Sequence, residues 1–545
     1  MSVSATQLKL FDAQLSPADK EPPSLFADRV GQAYAASCHA DHRKTHGLYL
    51  TPPPIASFMA EMIRPRHTLR LLDPAAGAGV LLCAAVEHLT QQPKPPRVIE
   101  IAAYEVDAPL AESLKVVLHY LVKWAGARGV RVHPDVRCQD FILAEAPALR
   151  GHSTARFDAV IANPPYFKIG KDDPRALAAS TVVHGQPNIY GLFMATAATL
   201  LAPGGDLVFI TPRSYASGPY FQKFREQFFS LIRPQRVHLF ESRRDTFSRD
   251  DVLQENIILH GLRETDWFLT NVDFQFTISS STSTHDLHGC AEWQAPLASV
   301  IDPSNLRDPF RLPASPKDQN VLCSVDAWTG SLQKYGLQIS TGPVVPFRAT
   351  RFLAQTPNGR AMPLFWMHHV RAMQVHWPNG TRKPQFIIDS SESRKLLVPN
   401  TNYVLLRRFS AKEEHRRLVA SPLLAGAVPY PMVGLENHLN YVYRPGGNLT
   451  EDEAWGLAAL YNSALLDGYF RCINGNTQVS ATELRAMPLP PLEAIASLGR
   501  HIKRQQQPLA LIDDLVSALA TAHSNARKGS RKGDACRRSK KRRIS

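Results

Sequence analysis

Cysteine is scarce in this chain and poorly placed for its structural uses. The seven cysteines, at 38, 83, 138, 290, 323, 472 and 536, are odd in number, scattered, and never spaced CxxC. That set excludes a disulfide frame, offers no zinc-ligand spacing, and points to reduced thiols. Long apolar runs are missing as well. No stretch of eighteen uncharged apolar residues occurs, so no membrane span is expected. Met1-Ser2-Val3-Ser4-Ala5-Thr6-Gln7 has neither the basic region nor the apolar core of a secretory signal, so the expected location is cytoplasmic. There is no internal repeat. Negative charge is in deficit: 62 Lys and Arg face 48 Asp and Glu, a net charge of +14 that favours a polyanionic partner. Part of the excess is local, because residues 526–545 hold ten Lys or Arg and one Asp. Two readings of that basic tail stand: a solvated disordered extension, or a counterion-releasing arm on nucleic acid.

What is present is ordinary globular composition, 44% hydrophobic and 20% charged, in a chain long enough for two or three domains. Residues 1–45 read as an irregular or partly helical lead-in. From 46 to 264 short apolar runs alternate with helical stretches. Strands are expected at 69–73, 99–105, 130–132, 157–162, 207–211, 237–240 and 256–260, with helices over 84–89, 108–126 and 188–202. Pro203-Gly204-Gly205 reads as the stop of the last helix. Strands alternating with helices predict a doubly wound, mostly parallel α/β sheet. After 265 the rhythm changes: residues 279–284 are all Ser or Thr, and prolines become frequent. Residues 265–495 therefore read as a second, mixed α+β domain, followed by a helix over 496–525. Thr450 with Glu453 forms a capping box for a helix running through Trp455, Leu457, Leu460, Leu465 and Leu466.

The most informative stretch is Asn163-Pro164-Pro165-Tyr166, which ends the apolar strand 157–162. Two prolines end strand pairing, and Pro164 holds Asn163 extended, so the amide projects from the carboxyl edge of the sheet. Open α/β sheets bind ligands at that edge. An amide and a proline carbonyl accept hydrogen bonds from an amino group, and a tyrosine stacks on a flat ring. Upstream, Asp73-Pro-Ala-Ala-Gly-Ala-Gly79 joins the first strand to its helix with residues small enough for close ligand approach. Glu105 ends the second strand, where a carboxylate takes ribose hydroxyls, and Asp140-Phe141 follows the third. His368-His369 and His376 have no third ligand at metal-binding spacing and read as surface histidines; no metal is expected.

These pieces, with Gly47-Leu-Tyr-Leu-Thr51-Pro-Pro53 and Tyr104-Glu105-Val106-Asp107, resemble the gamma-class, TaqI-like N6-adenine DNA methyltransferases of restriction–modification systems. The resemblance covers 45–263 and, more loosely, 450–492, through Leu460-Tyr-Asn-Ser463 and Gln478-Val-Ser480. It implies S-adenosylmethionine as cofactor. Thr51 and the loop with Asp73, Ala75, Gly77 and Gly79 are expected to hold its methionine part, Glu105 its ribose, and Asp140 and Phe141 its adenine. It implies that Asn163 and the Pro164 carbonyl bind the target amine, that Tyr166 stacks on a flipped base, and that Phe247 closes the other face. Alanines at 76 and 78 stand where the family often has Cys and Ser. Double-stranded DNA is the expected partner, bound by a monomer whose 265–495 domain recognises the target, with a cognate restriction endonuclease as functional counterpart. Arg382-Lys383, Arg407-Arg408 and Arg416-Arg417 are candidate DNA contacts or plain surface pairs, and Lys168 a candidate phosphate contact. An RNA adenine methyltransferase is the alternative. A protein-glutamine methyltransferase fits less well, because such chains lack a large carboxyl-terminal domain.

Overall fold

The computed structural model describes residues 16–39, 41–42, 50–151, 155–182, 187–240, 255–270 and 273–522, apart from positions 285, 358, 381, 412, 475–476, 506–508 and 510. The basic tail 526–545 and Phe247 lie outside the described residues. Two compact units divide at Ala314/Ser315.

Among the described residues, the first unit is built on a nine-stranded sheet. Its strands are β1 (Thr68–Asp73), β2 (Val98–Tyr104), β3 (Arg131–Arg137), β4 (Phe157–Ala162), β5 (Leu201–Pro212), β6 (Ile232–Phe240), β7 (Asn256–Arg263), β8 (Gln275–Ser281) and β9 (Ala291–Pro296). Their spatial order is β3-β2-β1-β4-β5-β7-β6-β8-β9. The run from β3 to β5 is parallel throughout. β7 runs antiparallel to both neighbours, and β9 to β8, so the sheet is mixed. Side-chain alternation places the two cores. Ala159 and Ile161 of β4 pack with Leu69, Leu71, Ile99 and Ile101 against the helices Val80–Thr90 and Ala108–Gly126. Val160 and Ala162 join Tyr104, Phe209 and the helix Ile189–Leu200 on the other face. Every residue of β4 is buried, as a central parallel strand requires.

Three expectations change here. The helix 189–200 stops before Pro203-Gly204-Gly205, which instead bulges the start of β5 where its register with β4 shifts between Phe157 and Ala159. The expected domain boundary at 264/265 moves to 314/315, because β8 and β9 extend the sheet and Phe276, Ile278 and Phe310 enter its core. The Ser/Thr run 279–284, read as part of the second domain, starts on β8 of this sheet. There Ser279 and Ser281 set their hydroxyls 3.0 and 2.9 Å from the two ring nitrogens of buried His238. The lead-in supplies a helix, Pro23–Ser37, whose Phe26 and Val30 are core residues.

The second unit is α+β. Among its described residues, one four-stranded and one five-stranded sheet stand beside helices Glu451–Asn462, Ala464–Ile473 and Leu492–Lys503. Thr450 and Glu453 form the expected capping box, but the helix breaks at Ser463, whose hydroxyl caps the next one at Leu466 N. Leu465 and Leu466 therefore sit on a separate helix. The helix expected over 496–525 is likewise two, Leu492–Lys503 and a stretch over 511–522. Helices Glu451–Asn462 and Leu492–Lys503 cross at Gly456, where a Cβ would lie 1.9 Å from the Ile495 carbonyl oxygen. Backbone cannot yield cheaply, so Gly456→Ala is expected to cost this unit about 3 kcal/mol. Calorimetry should show its transition lowered by about 6–12 °C; an unchanged transition would refute the crossing.

Candidate active site

The carboxyl edge of β1, β2 and β4 surrounds a cavity of about 540 Å³, lined among others by Ala75, Gly77, Glu105, Asp140, Phe141, Asn163 and Pro165. That size suits a ligand of nucleoside-plus-amino-acid dimensions. The loop after β1 is shaped for close approach. Gly79 has φ +90° and opens the next helix, and a Cβ there would lie 2.7 Å from Leu114 Cδ1. Gly77 N donates to Glu105 Oε2 at 2.9 Å, and Asp107 N to Oε1 at 2.8 Å, so the carboxylate is aimed by two backbone amides. Burial pushes the Glu105 carboxyl up to about 7. Asp140 caps the short helix Phe141–Glu145 through Leu143 N, and its Oδ2 lies 3.9 Å from Arg175 Nη1. Phe141 stacks on Phe193 at 5.4 Å and meets Tyr104 edge-on at 5.1 Å, giving one wall of the cavity an aromatic character.

Asp73 is different. It is fully buried and absent from the cavity lining; Oδ1 accepts from Ala75 N at 3.0 Å, and Oδ2 has no hydrogen-bond partner. Burial pushes its pKa up to about 8. It shapes the loop from beneath, and its bare oxygen lies in a place where a cationic ligand group would be welcome.

The tetrad after β4 is held by its own neighbours. Asn163 Nδ2 donates to Thr51 Oγ1 at 3.0 Å. The Tyr166 hydroxyl lies 2.5 Å from Asn163 Oδ1 and 3.1 Å from the Ile210 carbonyl oxygen. Thr51, expected to serve the cofactor, thus holds the amide. Tyr166, expected to present its ring, is buried edge-on against Tyr190 at 6.3 Å and reaches Asn163 with its hydroxyl. Neither it nor Thr51, Gly79 or Pro164 lines the cavity. An amide oxygen has two lone pairs, so Asn163 Oδ1 can take a second donor beside the tyrosine hydroxyl.

Phe193 carries no signal in the sequence, because it sits in a mostly apolar helix where an aromatic looks like plain core. Arg175, whose guanidinium lies 5.7 Å over the Phe167 ring beside the cavity, carries none either, and nor does the lead-in's part. Tyr34 Oη donates to Asp107 Oδ2 at 2.7 Å, tying the first helix to the cavity rim. Lys168 lines the cavity and is exposed. Of the basic pairs, Arg417 is buried, with Nη1 donating to Asn474 Oδ1 at 2.8 Å, and so is no surface residue. Arg416 pairs with Asp513 at 2.6 Å. His369 is no surface histidine either: it is buried, its Nδ1 accepts from Trp366 N at 3.0 Å, and burial pushes its pKa down to about 4.

The Eco57I restriction-modification methylase family matches residues 133–247. Type II methyltransferase M.BsuBI of Bacillus subtilis is 31% identical over 464 residues, 84% of this chain and 90% of that enzyme. Type II methyltransferase M.PstI of Providencia stuartii is 31% identical over 503 residues, 91% of this chain and 96% of its own length. A shorter stretch is similar to the tRNA1(Val) (adenine(37)-N6)-methyltransferase of Vibrio vulnificus, 25% identical over 173 residues, 32% of this chain and 59% of that enzyme.

Proposed function

The chain belongs to the type II restriction–modification methyltransferases, which act on DNA, and from that premise we propose that it methylates N6 of an adenine turned out of a specific duplex site, protecting the site from a cognate endonuclease. The observation that carries the adenine reading is the Asn163 amide, pinned by Thr51 and Tyr166 at the cavity, with Pro164 following it. The tRNA methyltransferase, named for N6 of adenine, adds weight to the chemistry.

S-Adenosylmethionine suits the donor set: Glu105 for ribose hydroxyls, Asp140 and the Phe141–Phe193 wall for the adenine, and the 74–79 loop with buried Asp73 beneath the methionine end. When bound, it supplies a sulfonium methyl, an electrophile strong enough that the chain has only to align and desolvate. The target nitrogen is the difficult partner, since its lone pair is delocalised into the purine ring. Asn163 Oδ1 and the Pro164 carbonyl accept its two N–H bonds, favour a tetrahedral nitrogen, and hold the positive charge that grows there. Preorganised acceptors of this kind contribute a few kcal/mol. Turning the base out costs about a few kcal/mol, offset in part by these hydrogen bonds. The Tyr166 hydroxyl then shares Oδ1 with the incoming amine, keeping the amide in place.

The raised acids set the pH dependence. Their folded values, about 8 for Asp73 and about 7 for Glu105, exceed ordinary carboxylate values near 4. Burying them therefore favours the neutral form, and the ligand-free protein loses stability as pH rises from about 4 through 8. A cationic ligand needs the ionised form, so affinity runs the opposite way. With Asp73 near 8, the dissociation constant for S-adenosylmethionine should fall by up to about fiftyfold between pH 6 and pH 8 and level off above about pH 9. Titration calorimetry checks this; a flat profile would remove the electrostatic role given to Asp73.

The substrate itself is tested by offering tritiated S-adenosylmethionine with duplex DNA, transfer RNA and release factor. Label in duplex DNA alone is the expected result. Label in RNA or protein would overturn the reading.

A further inference from the structure

Two cationic side chains line the cavity among the described residues, Lys168 and Arg175. Lys168 is exposed, whereas Arg175 is half-buried and held in place. Its Nε and Nη2 donate to the two carboxylate oxygens of Asp173, at 2.9 and 2.7 Å. Asp173 in turn caps the short helix Pro174–Ala178, accepting from Arg175 N at 2.9 Å. The stretch before it is stapled down as well. Ile189 N donates to the Phe167 carbonyl and Ile169 N to the Pro187 carbonyl, both at 3.0 Å, which ties it to the helix that carries Phe193. Arg175 is therefore ordered before any ligand arrives, and its planar fork keeps one orientation.

That orientation leaves Nη1 for Asp140. The distance to Asp140 Oδ2 is 3.9 Å, too long for a hydrogen bond and short enough for Coulomb attraction. The other oxygen, Oδ1, accepts from Leu143 N at 3.0 Å. One side of the carboxylate is thus fixed by its own helix, and the other is drawn toward Arg175 without being used up. The lone pairs of Oδ2 remain for a donor in the cavity. Pairing with Asp173 alone would serve to brace the turn. Here the same guanidinium also faces a second acid, and all three groups stand on the cavity wall beside Phe141.

We propose that Arg175 is a positioning residue for the cofactor's adenine. It aims the Asp140 carboxylate so that Oδ2 accepts from the exocyclic amine of the ring, and the cavity thereby selects an amino-bearing purine over its oxo counterpart. With hypoxanthine in place of adenine, a carbonyl would meet the carboxylate, two acceptors with no proton between them. This inference rests on the S-adenosylmethionine reading above and adds to it the group that makes the site read the ring. Arg175 comes from the segment that follows the tetrad, so the stretch of chain that presents the target amide also sets the cofactor's ring.

The test is titration calorimetry of the full chain with two probes that differ only in the ring, S-adenosylhomocysteine and S-inosylhomocysteine. The unaltered chain should bind the adenosyl probe about tenfold or more tightly than the inosyl one, as a site built to accept from an amine does. Arg175→Ala should weaken the adenosyl probe about tenfold and the inosyl probe less than about threefold, so that discrimination narrows. Arg175→Lys, which keeps the charge and loses the planar fork, should fall between. Asp140→Asn, whose amide can accept or donate, should bind the two probes alike. An equal loss of both probes in Arg175→Ala would mean that Arg175 only braces its loop, and would overturn the proposal. So would unchanged affinities in that variant, or equal binding of the two probes by the unaltered chain. Should Arg175→Ala fail to fold, Arg175→Lys decides: narrowed discrimination supports the proposal and unchanged discrimination overturns it. Failure of the unaltered chain to bind S-adenosylhomocysteine would overturn the cofactor reading, and the proposal with it.

Discussion

Asn163→Ala is expected to lower methyl transfer by about 10² to 10³-fold, the loss typical when one preorganised hydrogen-bonding group at a developing charge is removed. Its binding of S-adenosylmethionine should stay within about threefold, since a change under about 0.7 kcal/mol is all that leaving one wall of the cavity otherwise intact allows. The reason is geometric. Asn163 lies on the carboxyl edge of β4, while Glu105 on β2 and Asp140 after β3 lie on the cavity's far strands. Truncating the amide removes an acceptor for the target amine and leaves the expected cofactor groups untouched. Asn163→Asp separates the two parts of the argument, because it keeps an acceptor but loses the donor that Thr51 holds. Single-turnover transfer with equilibrium binding on each variant reads both quantities. Binding lost together with turnover would place Asn163 in the cofactor site.

Thr51→Val carries the second large effect, and it sets two roles for one residue against each other. The family resemblance gives Thr51 to the methionine part of the cofactor. The structure gives its Oγ1 to Asn163 Nδ2 at 3.0 Å. If Thr51 positions the amide, valine, which has the same shape without the acceptor, should lower kcat about tenfold through loss of one buried hydrogen bond. Cofactor affinity should hold, and Thr51→Ser should restore kcat. If Thr51 binds the cofactor instead, the dissociation constant should rise and kcat at saturation should recover. Tyr166→Phe probes the other end of the same amide, and it leaves the ring in place while removing the hydroxyl at Asn163 Oδ1.

The sheet was legible because its strands are short Val- and Ile-rich runs ended by turn residues, and all seven expected strands exist within a few residues of their expected positions. The tetrad, Glu105 and Asp140 reached one cavity because successive parallel strands end on one edge. What escaped was whatever depends on partners distant in sequence. Ser279 and Ser281 read as the opening of a second domain, but β8 lays them in the first sheet beside His238, 41 and 43 residues away. Thr51 and Asn163 are 112 residues apart, and only the fold brings them within 3.0 Å. Tyr166 looked like a stacking ring because spacing cannot tell whether a tyrosine offers its face or its hydroxyl. Arg417 looked like half of a surface pair, but Asp467 and Asn474 receive it in the interior.

On the function proposed above, this site methylates the exocyclic nitrogen of adenine in DNA. The most direct measurement is digestion of DNA methylated by the purified chain to nucleosides, followed by separation and mass identification of the modified species. The expected product is N6-methyl-2′-deoxyadenosine and no other methylated nucleoside. A methylated cytosine as the product would contradict it.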